Sequence, residues 1–125
     1  LCAMAEKLGE ITVHECGVWK EAGEKGFSAI GGRQSTFLAT QKKTVPVNSI
    51  DKLAGGKPVS YIKMDVEGAE VQAIEGGKLV IGGFSPKMFV AAYHYDVDVF
   101  RLPLLIWQLV PDYKIFFRKH PYVPA

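Results

Sequence analysis

The chain has 125 residues and a net charge of +2, from 15 basic and 13 acidic side chains. Its 48% hydrophobic and 22% charged residues are ordinary for one soluble globular domain and exclude an acidic or low-complexity disordered chain. The small basic excess argues against a dedicated nucleic-acid binder. No apolar run is long enough to cross a bilayer, the stretch from Leu102 to Val110 being broken by Pro103 and Gln108.

Leu1 to Leu8 reads as the end of a helix, with Leu1, Met4, Ala5 and Leu8 on one face and Gly9 as the stop. Ile11 to Val18 reads as a strand, and polar Trp19 to Gly26 as a loop. Residues 27–30 and 35–38 suggest two short strands around a turn at Gly31-Gly32. Thr44 to Val47 is extended, and Pro46 argues for an edge position. Asn48 or Ser49 can cap a helical turn reaching Leu53. Val59 to Val66 is a near-continuous apolar run, the pattern of a strand covered on both faces.

A helix is predicted from Ala69 to Leu79, with Val71, Ile74 and Lys78 along one face. Met88 to Tyr93 reads as a strand. Leu102, Leu105, Ile106 and Leu109 recur at helical spacing, with Pro103 expected in the first turn. Pro111-Asp112 ends that helix, and Tyr113 to Arg118 reads as a last strand. Strands separated by helices predict an α/β fold with a parallel sheet. The chain begins at Leu1, inside a helical pattern, and ends at Ala125 just after a strand-like run, so residues 1–125 read as a single partial domain of a longer protein. Two cysteines, Cys2 and Cys16, make no disulfide framework. Without a visible signal peptide they suggest reduced thiols in a cytoplasmic protein.

In open α/β sheets, ligands bind beyond the carboxyl ends of the strands. Three such ends matter: Cys16-Gly17-Val18, Asp65-Val66-Glu67-Gly68 and Tyr93-His94-Tyr95-Asp96. At the second, Asp65 and Glu67 stand where a strand turns into a helix, and Gly68 permits a tight turn. Each acid has a bland alternative, capping the helix, and Glu70 in the first turn suits the helix dipole. His94, taken alone, is a packing histidine. Projecting from the same sheet edge as Asp65, it could form a general base with its orienter, or with Glu67 part of a metal site. Familiar signals are missing. Gly76-Gly77-Lys78 fails as a phosphate loop because Gln72 stands where glycine is needed and Leu79 replaces Ser or Thr. No paired-cysteine zinc spacing occurs. The basic aromatic run Tyr113 to His120 is as well explained by a half-buried strand as by nucleic-acid stacking.

The segment Tyr61-Ile62-Lys63-Met64-Asp65-Val66-Glu67-Gly68-Ala69-Glu70, with Ala73-Ile74-Glu75-Gly76-Gly77, resembles the hallmark of FkbM-type S-adenosylmethionine-dependent methyltransferases. Val45-Pro46-Val47-Asn48-Ser49-Ile50-Asp51 resembles the segment leading into it, and Cys16-Gly17-Val18-Trp19 is similar to the preceding strand end. Ala92-Tyr93-His94 and Leu109 to Tyr113 are similar to the tail of one branch of the family. Two positions depart from the pattern: Ala91 and Ala92 stand where many members have an acid, and Gly77 where alanine is usual.

The resemblance implies a Rossmann-like class I methyltransferase fold, of which this chain is the C-terminal portion without the glycine-rich cofactor loop, the ribose acid or the last strand. It implies S-adenosyl-L-methionine as cofactor, with Gly17 and Val18 flanking the adenine and Asp65 beside the methyl group. Glu67 and His94 would line the acceptor side, and Asp65 or His94 would be the base. The expected partner is a small hydroxylated methyl acceptor such as a sugar, with no nucleic acid and no membrane. Exposed sheet and helix faces lead to an expectation of self-association, a homo-oligomer among its forms. The competing reading is a non-catalytic α/β binding module. A dinucleotide-dependent oxidoreductase is disfavoured, since only topology suggests it.

Overall fold

The structure, a computed structural model, describes residues 11–30, 34–36 and 43–119. The expected helix over residues 1–8 and the Gly31-Gly32 turn lie outside them. Among the described residues, six strands and four helices follow in chain order. They are β1 (Gly17–Val18), β2 (Gly23–Ile30), β3 (Gln34–Thr36), β4 (Lys43–Asn48), α1 (Ile50–Ala54), β5 (Tyr61–Met64), α2 (Glu70–Glu75), α3 (Lys78–Phe84), β6 (Lys87–Val90) and α4 (Asp98–Leu109).

One sheet has the order β1-β4-β2-β3, with β1 parallel to β4 and β2 antiparallel to both β4 and β3. The other pairs β5 with β6 in parallel, Tyr61 opposite Lys87 and Met64 opposite Val90. Parallel neighbours need a crossover, and α2 and α3 supply it. The fold is therefore mixed α/β, and the parallel ladder lies where the alternation of strand and helix put it.

Several elements differ from expectation, each for a physical reason. Of Ile11 to Val18, only Gly17 and Val18 pair with a neighbour, and Ile11 and Val13 face solvent. Gly23 to Gly26, expected as loop, belongs to β2. Its glycines and charges hide a strand whose ladder bonds to β4 are made by backbone, not side chains. Strand β4 is internal, not an edge. Pro46 is tolerated because it faces Glu24 on one side, while pairing with β1 starts only at Val47 on the other. Strand β5 is covered on one face only: Met64 is buried, but Tyr61 is 57% exposed. The stretch from Tyr113 to Arg118 pairs with no strand among the described residues. Tyr113 instead packs on the core, and its hydroxyl donates to the Pro86 carbonyl.

The helix expected from Ala69 to Leu79 is two helices broken at Gly76-Gly77. A Cβ at Gly76 would collide with the Trp19 carbonyl oxygen and lie 3.0 Å from Lys20 Cα. The Gly76 carbonyl accepts the Asp51 N–H at 2.9 Å, so this close approach locks the helix break against α1. Exposed Lys78 opens α3 instead of extending the apolar face of α2. Nothing local caps α3. The Asp51 carboxylate does so from α1, accepting the N–H groups of Leu79 at 3.1 Å and Val80 at 2.8 Å. Helix α1 is capped by Ser49, whose Oγ accepts from the Lys52 N–H at 3.3 Å, and it ends at left-handed Gly55.

Helix α4 starts at Asp98, so Pro103 lies inside it and not in its first turn. The missing N–H leaves the Val99 carbonyl without its helical donor, a cost of about 3 kcal/mol that packing offsets. Leu102 is buried in the same cluster as Met64, Val71, Ala73, Ile74 and Ile81, with Leu105, Ile106 and Leu109 packed against it. A fully buried Leu or Ile contributes about 1.5–3 kcal/mol. No helix among the described residues is long and apolar enough to cross a membrane.

Candidate active site

Strand β5 ends at Met64, and the chain turns sharply before α2. Glu67 has φ +53° and Gly68 φ +92°. The first is a left-handed conformation that costs a side-chain-bearing residue about 1–2 kcal/mol. Such an outlier is sustained only where its surroundings hold it. The second is reserved to glycine here for an added reason: a Cβ would lie 2.8 Å from Cε2 of the Tyr95 ring. The turn is closed by the Ala69 N–H donating to the Val66 carbonyl at 3.2 Å.

Neither Asp65 nor Glu67 caps α2. Its N-cap is Ala69, with no side-chain bond. Glu70, from inside the helix, reaches back to accept the Val66 N–H on Oε1 at 3.0 Å. The two earlier acids are thus free of the structural duty that would explain them away.

Strand β6 runs parallel to β5 and delivers Tyr93 and His94 to the same edge. The His94 ring, its side chain only 13% exposed, lies among three carboxylates. Its Nδ1 is 3.1 Å from Glu70 Oε1, and its Nε2 is 3.3 Å from Glu67 Oε2 and 3.7 Å from Asp65 Oδ1. None of these approaches has the geometry of a hydrogen bond. The Tyr93 hydroxyl donates to Asp65 Oδ1 at 2.8 Å. That hydrogen bond is the main reason the Tyr93 phenol is held above its usual 10.0, with desolvation and the charges of Asp65, Glu67 and Glu70 adding to it.

Asp65, Glu67 and His94 are therefore brought together as their positions at two strand ends suggest. Gly17 and Val18 are not in that ladder: they sit in β1, paired with Val47 and Asn48 of β4, and Val18 packs against the core. Three residues were missed as parts of the site. Glu70 reads from the sequence as a dipole complement, and nothing local signals its burial. Tyr93 and Tyr95 flank His94, and their alternation with it was the available signal.

Chemically, the cluster offers carboxylates half open to solvent, at 42% for Asp65 and 44% for Glu67, around one imidazole. Among the described residues no lysine or arginine pairs with either acid. The site therefore favours a cationic ligand and can hold or move a proton. Asp65, Glu70 and His94 each offer one ligand atom, all within 4.8 Å of one another, so a hard or borderline divalent cation is also within their reach.

Carboxylates and an imidazole thus converge at the carboxyl end of two parallel strands of a mixed α/β fold, the edge at which open α/β sheets bind their ligands. More narrowly, the chain belongs to the Methyltransferase FkbM domain family, whose model matches residues 2–118. A crystal structure of Methyltransferase FkbM from Methylobacillus flagellatus KT is similar, with 28% sequence identity and a TM-score of 0.67. The match covers 90% of this chain and 26% of that one, so the chain spans about a quarter of that protein's length. No curated protein matches the chain.

Proposed function

We propose that the chain forms the acceptor side of an S-adenosylmethionine-dependent methyltransferase that methylates a hydroxyl of a sugar or another small hydroxylated metabolite in the cytoplasm. The observation that carries this is the meeting of Asp65, Glu67 and His94 at one strand edge, in a chain of the FkbM methyltransferase family. The cofactor fits this edge by charge, since its sulfonium is a cation and the Asp65 and Glu67 carboxylates are unpaired by lysine or arginine among the described residues.

Bound there, S-adenosylmethionine supplies an electrophilic methyl group whose bond pair stays on sulfur, as a thioether, when an acceptor oxygen takes the methyl. Asp65 would face the sulfonium, Glu67 would line the acceptor side with His94, and Gly17 and Val18 would flank the adenine as the family pattern implies. Methyl transfer to oxygen asks little more of a protein than alignment and removal of one proton. His94 Nε2 or Asp65 accepts that proton. Asp65 Oδ1 is already engaged by the Tyr93 hydroxyl, which leaves His94 Nε2 the more available acceptor. The exposed Tyr93 and Tyr95 rings flank the mouth and offer apolar faces to a sugar-like acceptor.

Calorimetric titration of S-adenosylhomocysteine into the whole protein tests the reading. Saturable one-site binding is expected. No binding would move the reading to a non-catalytic α/β module in which Asp65, Glu67 and His94 are structural.

A further inference from the structure

Glu70 is fully buried, and only half of its carboxylate is accounted for. Its Oε1 accepts the Val66 N–H at 3.0 Å. Its Oε2 is buried with no hydrogen-bond partner among the described residues. Both nitrogens of His94 are in the same condition, although carboxylate oxygens stand 3.1 Å from Nδ1 and 3.3 Å from Nε2. A polar atom buried without a hydrogen bond is costly, and a buried charge is costlier unless it is paired or holds a metal. Three such atoms on two neighbouring side chains call for a ligand that takes lone pairs. Charge points the same way. Asp65, Glu67 and Glu70 put three carboxylates around one imidazole, and no lysine or arginine pairs with them among the described residues. The sulfonium of the proposed cofactor would offset one of them. The remaining two negative charges are what one divalent cation balances.

The spacing fits such an ion. One oxygen each from Asp65 and Glu70 and one nitrogen from His94 lie within 4.8 Å of one another. Ligand atoms about 2.2 Å from a shared ion stand about 3 Å apart when adjacent and about 4.4 Å apart when opposite. The closest approaches of His94 to Glu70 and to Asp65, 3.1 and 3.7 Å, fall in that range. We propose that Asp65, Glu70 and His94 bind one divalent first-row transition-metal ion at the carboxyl edge of β5 and β6. The donor set selects the class. Carboxylates alone suit Mg2+ and Ca2+, whereas an imidazole beside them favours a transition metal such as Mn2+ or Zn2+. Each ligand comes from a different place: Asp65 from the end of β5, Glu70 from the first turn of α2 and His94 from the chain after β6. The turn through left-handed Glu67 and Gly68 brings the first two onto one ring. Asp65 is half-exposed, so further coordination positions open to solvent and to a small oxygen ligand. Where the methyltransferase reading holds, that ligand is the acceptor hydroxyl, which the ion fixes and polarises. Binding of the ion does not depend on that reading.

The test is titration of MnCl2 into the chelator-stripped whole protein, followed by electron paramagnetic resonance. Saturation at one tightly bound ion per chain is expected, with a spin-echo spectrum modulated by a 14N nucleus. His94→Ala should abolish that modulation, and His94→Ala and Glu70→Gln should each weaken binding about 100-fold. Glu67→Gln, outside the ligand set, should cost no more than about fivefold. Equal losses in Glu67→Gln and Glu70→Gln would mark a diffuse acidic patch and overturn the proposal. So would the absence of saturable binding, or saturation without nitrogen modulation. Should Glu70→Gln not fold, the modulation in the unaltered protein and its loss in His94→Ala decide. S-adenosylhomocysteine binding without Mn2+ binding would defeat the metal site alone. Mn2+ binding without S-adenosylhomocysteine binding would defeat the methyltransferase reading alone.

Discussion

A methyl group at position 68 would meet the Tyr95 ring 2.8 Å away, in a backbone already at φ +92°. Gly68→Ala should therefore destabilise by about 1–2 kcal/mol from the conformation alone, and it must also displace Tyr95 from the site's rim. Denaturant unfolding checks the first effect, and an unchanged midpoint would contradict it. Tyr93 carries a pH prediction. Its hydrogen bond to Asp65 and the nearby carboxylates favour the neutral phenol, so its ionisation moves above the usual 10.0. A folded pKa raised above the unfolded one contributes stability that is present below about pH 10 and is lost as pH rises through the folded value. Tyr113 is raised too, by burial. Of the described tyrosines, absorbance titration should show Tyr93 and Tyr113 ionising late in the unaltered protein, and Tyr113 alone in Tyr93→Phe.

At the scale of elements, two adjacent glycines separate by what their neighbours are. At Gly76 the obstacle is backbone, the Trp19 carbonyl and Lys20 Cα, which cannot move without shifting the chain after β1. At Gly77 it is the Ile50 side chain at 3.2 Å, which can yield by a few tenths of an ångström. Gly76→Ala should cost several times more stability than Gly77→Ala, as measured by thermal unfolding; equal losses would contradict the packing described. Asp51→Ala should cost about 1–2 kcal/mol, because α3 has no other cap. That cap joins residues 28 and 29 positions apart, a span no local pattern reveals. The break between α2 and α3 was hidden for the same reason. The apolar period runs on through Gly76-Gly77, and only the approach of Trp19 stops it. By contrast α1 was legible, since Ser49 and Gly55 punctuate it locally.

For the whole molecule, the parallel β5–β6 ladder and its acidic edge were readable because strand, turn and acids are contiguous in sequence. The first half of β2, Gly23 to Gly26, was not, because its partner β4 does the work that apolar side chains do elsewhere, whereas residues 27–30 were read as a strand and pair with β3. Burial of Glu70 was not, because a charge in a first helical turn is ordinarily a surface feature. The outer face of α4 presents Phe100, Leu104 and Trp107 to solvent, and β5–β6 presents Tyr61 and Phe89. Exposed apolar surface of this kind drives association. Residues 1–125 expressed alone should self-associate in analytical ultracentrifugation, whereas a stable monomer at high concentration would contradict this.

The most direct measurement is transfer of a labelled methyl group from S-adenosylmethionine to a panel of sugars and small hydroxylated metabolites, by the whole protein and by Asp65→Ala. The site described here predicts label on an acceptor oxygen with the unaltered protein. It predicts loss of nearly all turnover in the variant, with S-adenosylhomocysteine still bound. Turnover unchanged by Asp65→Ala would remove Asp65 from the chemistry and contradict the site as the seat of methyl transfer.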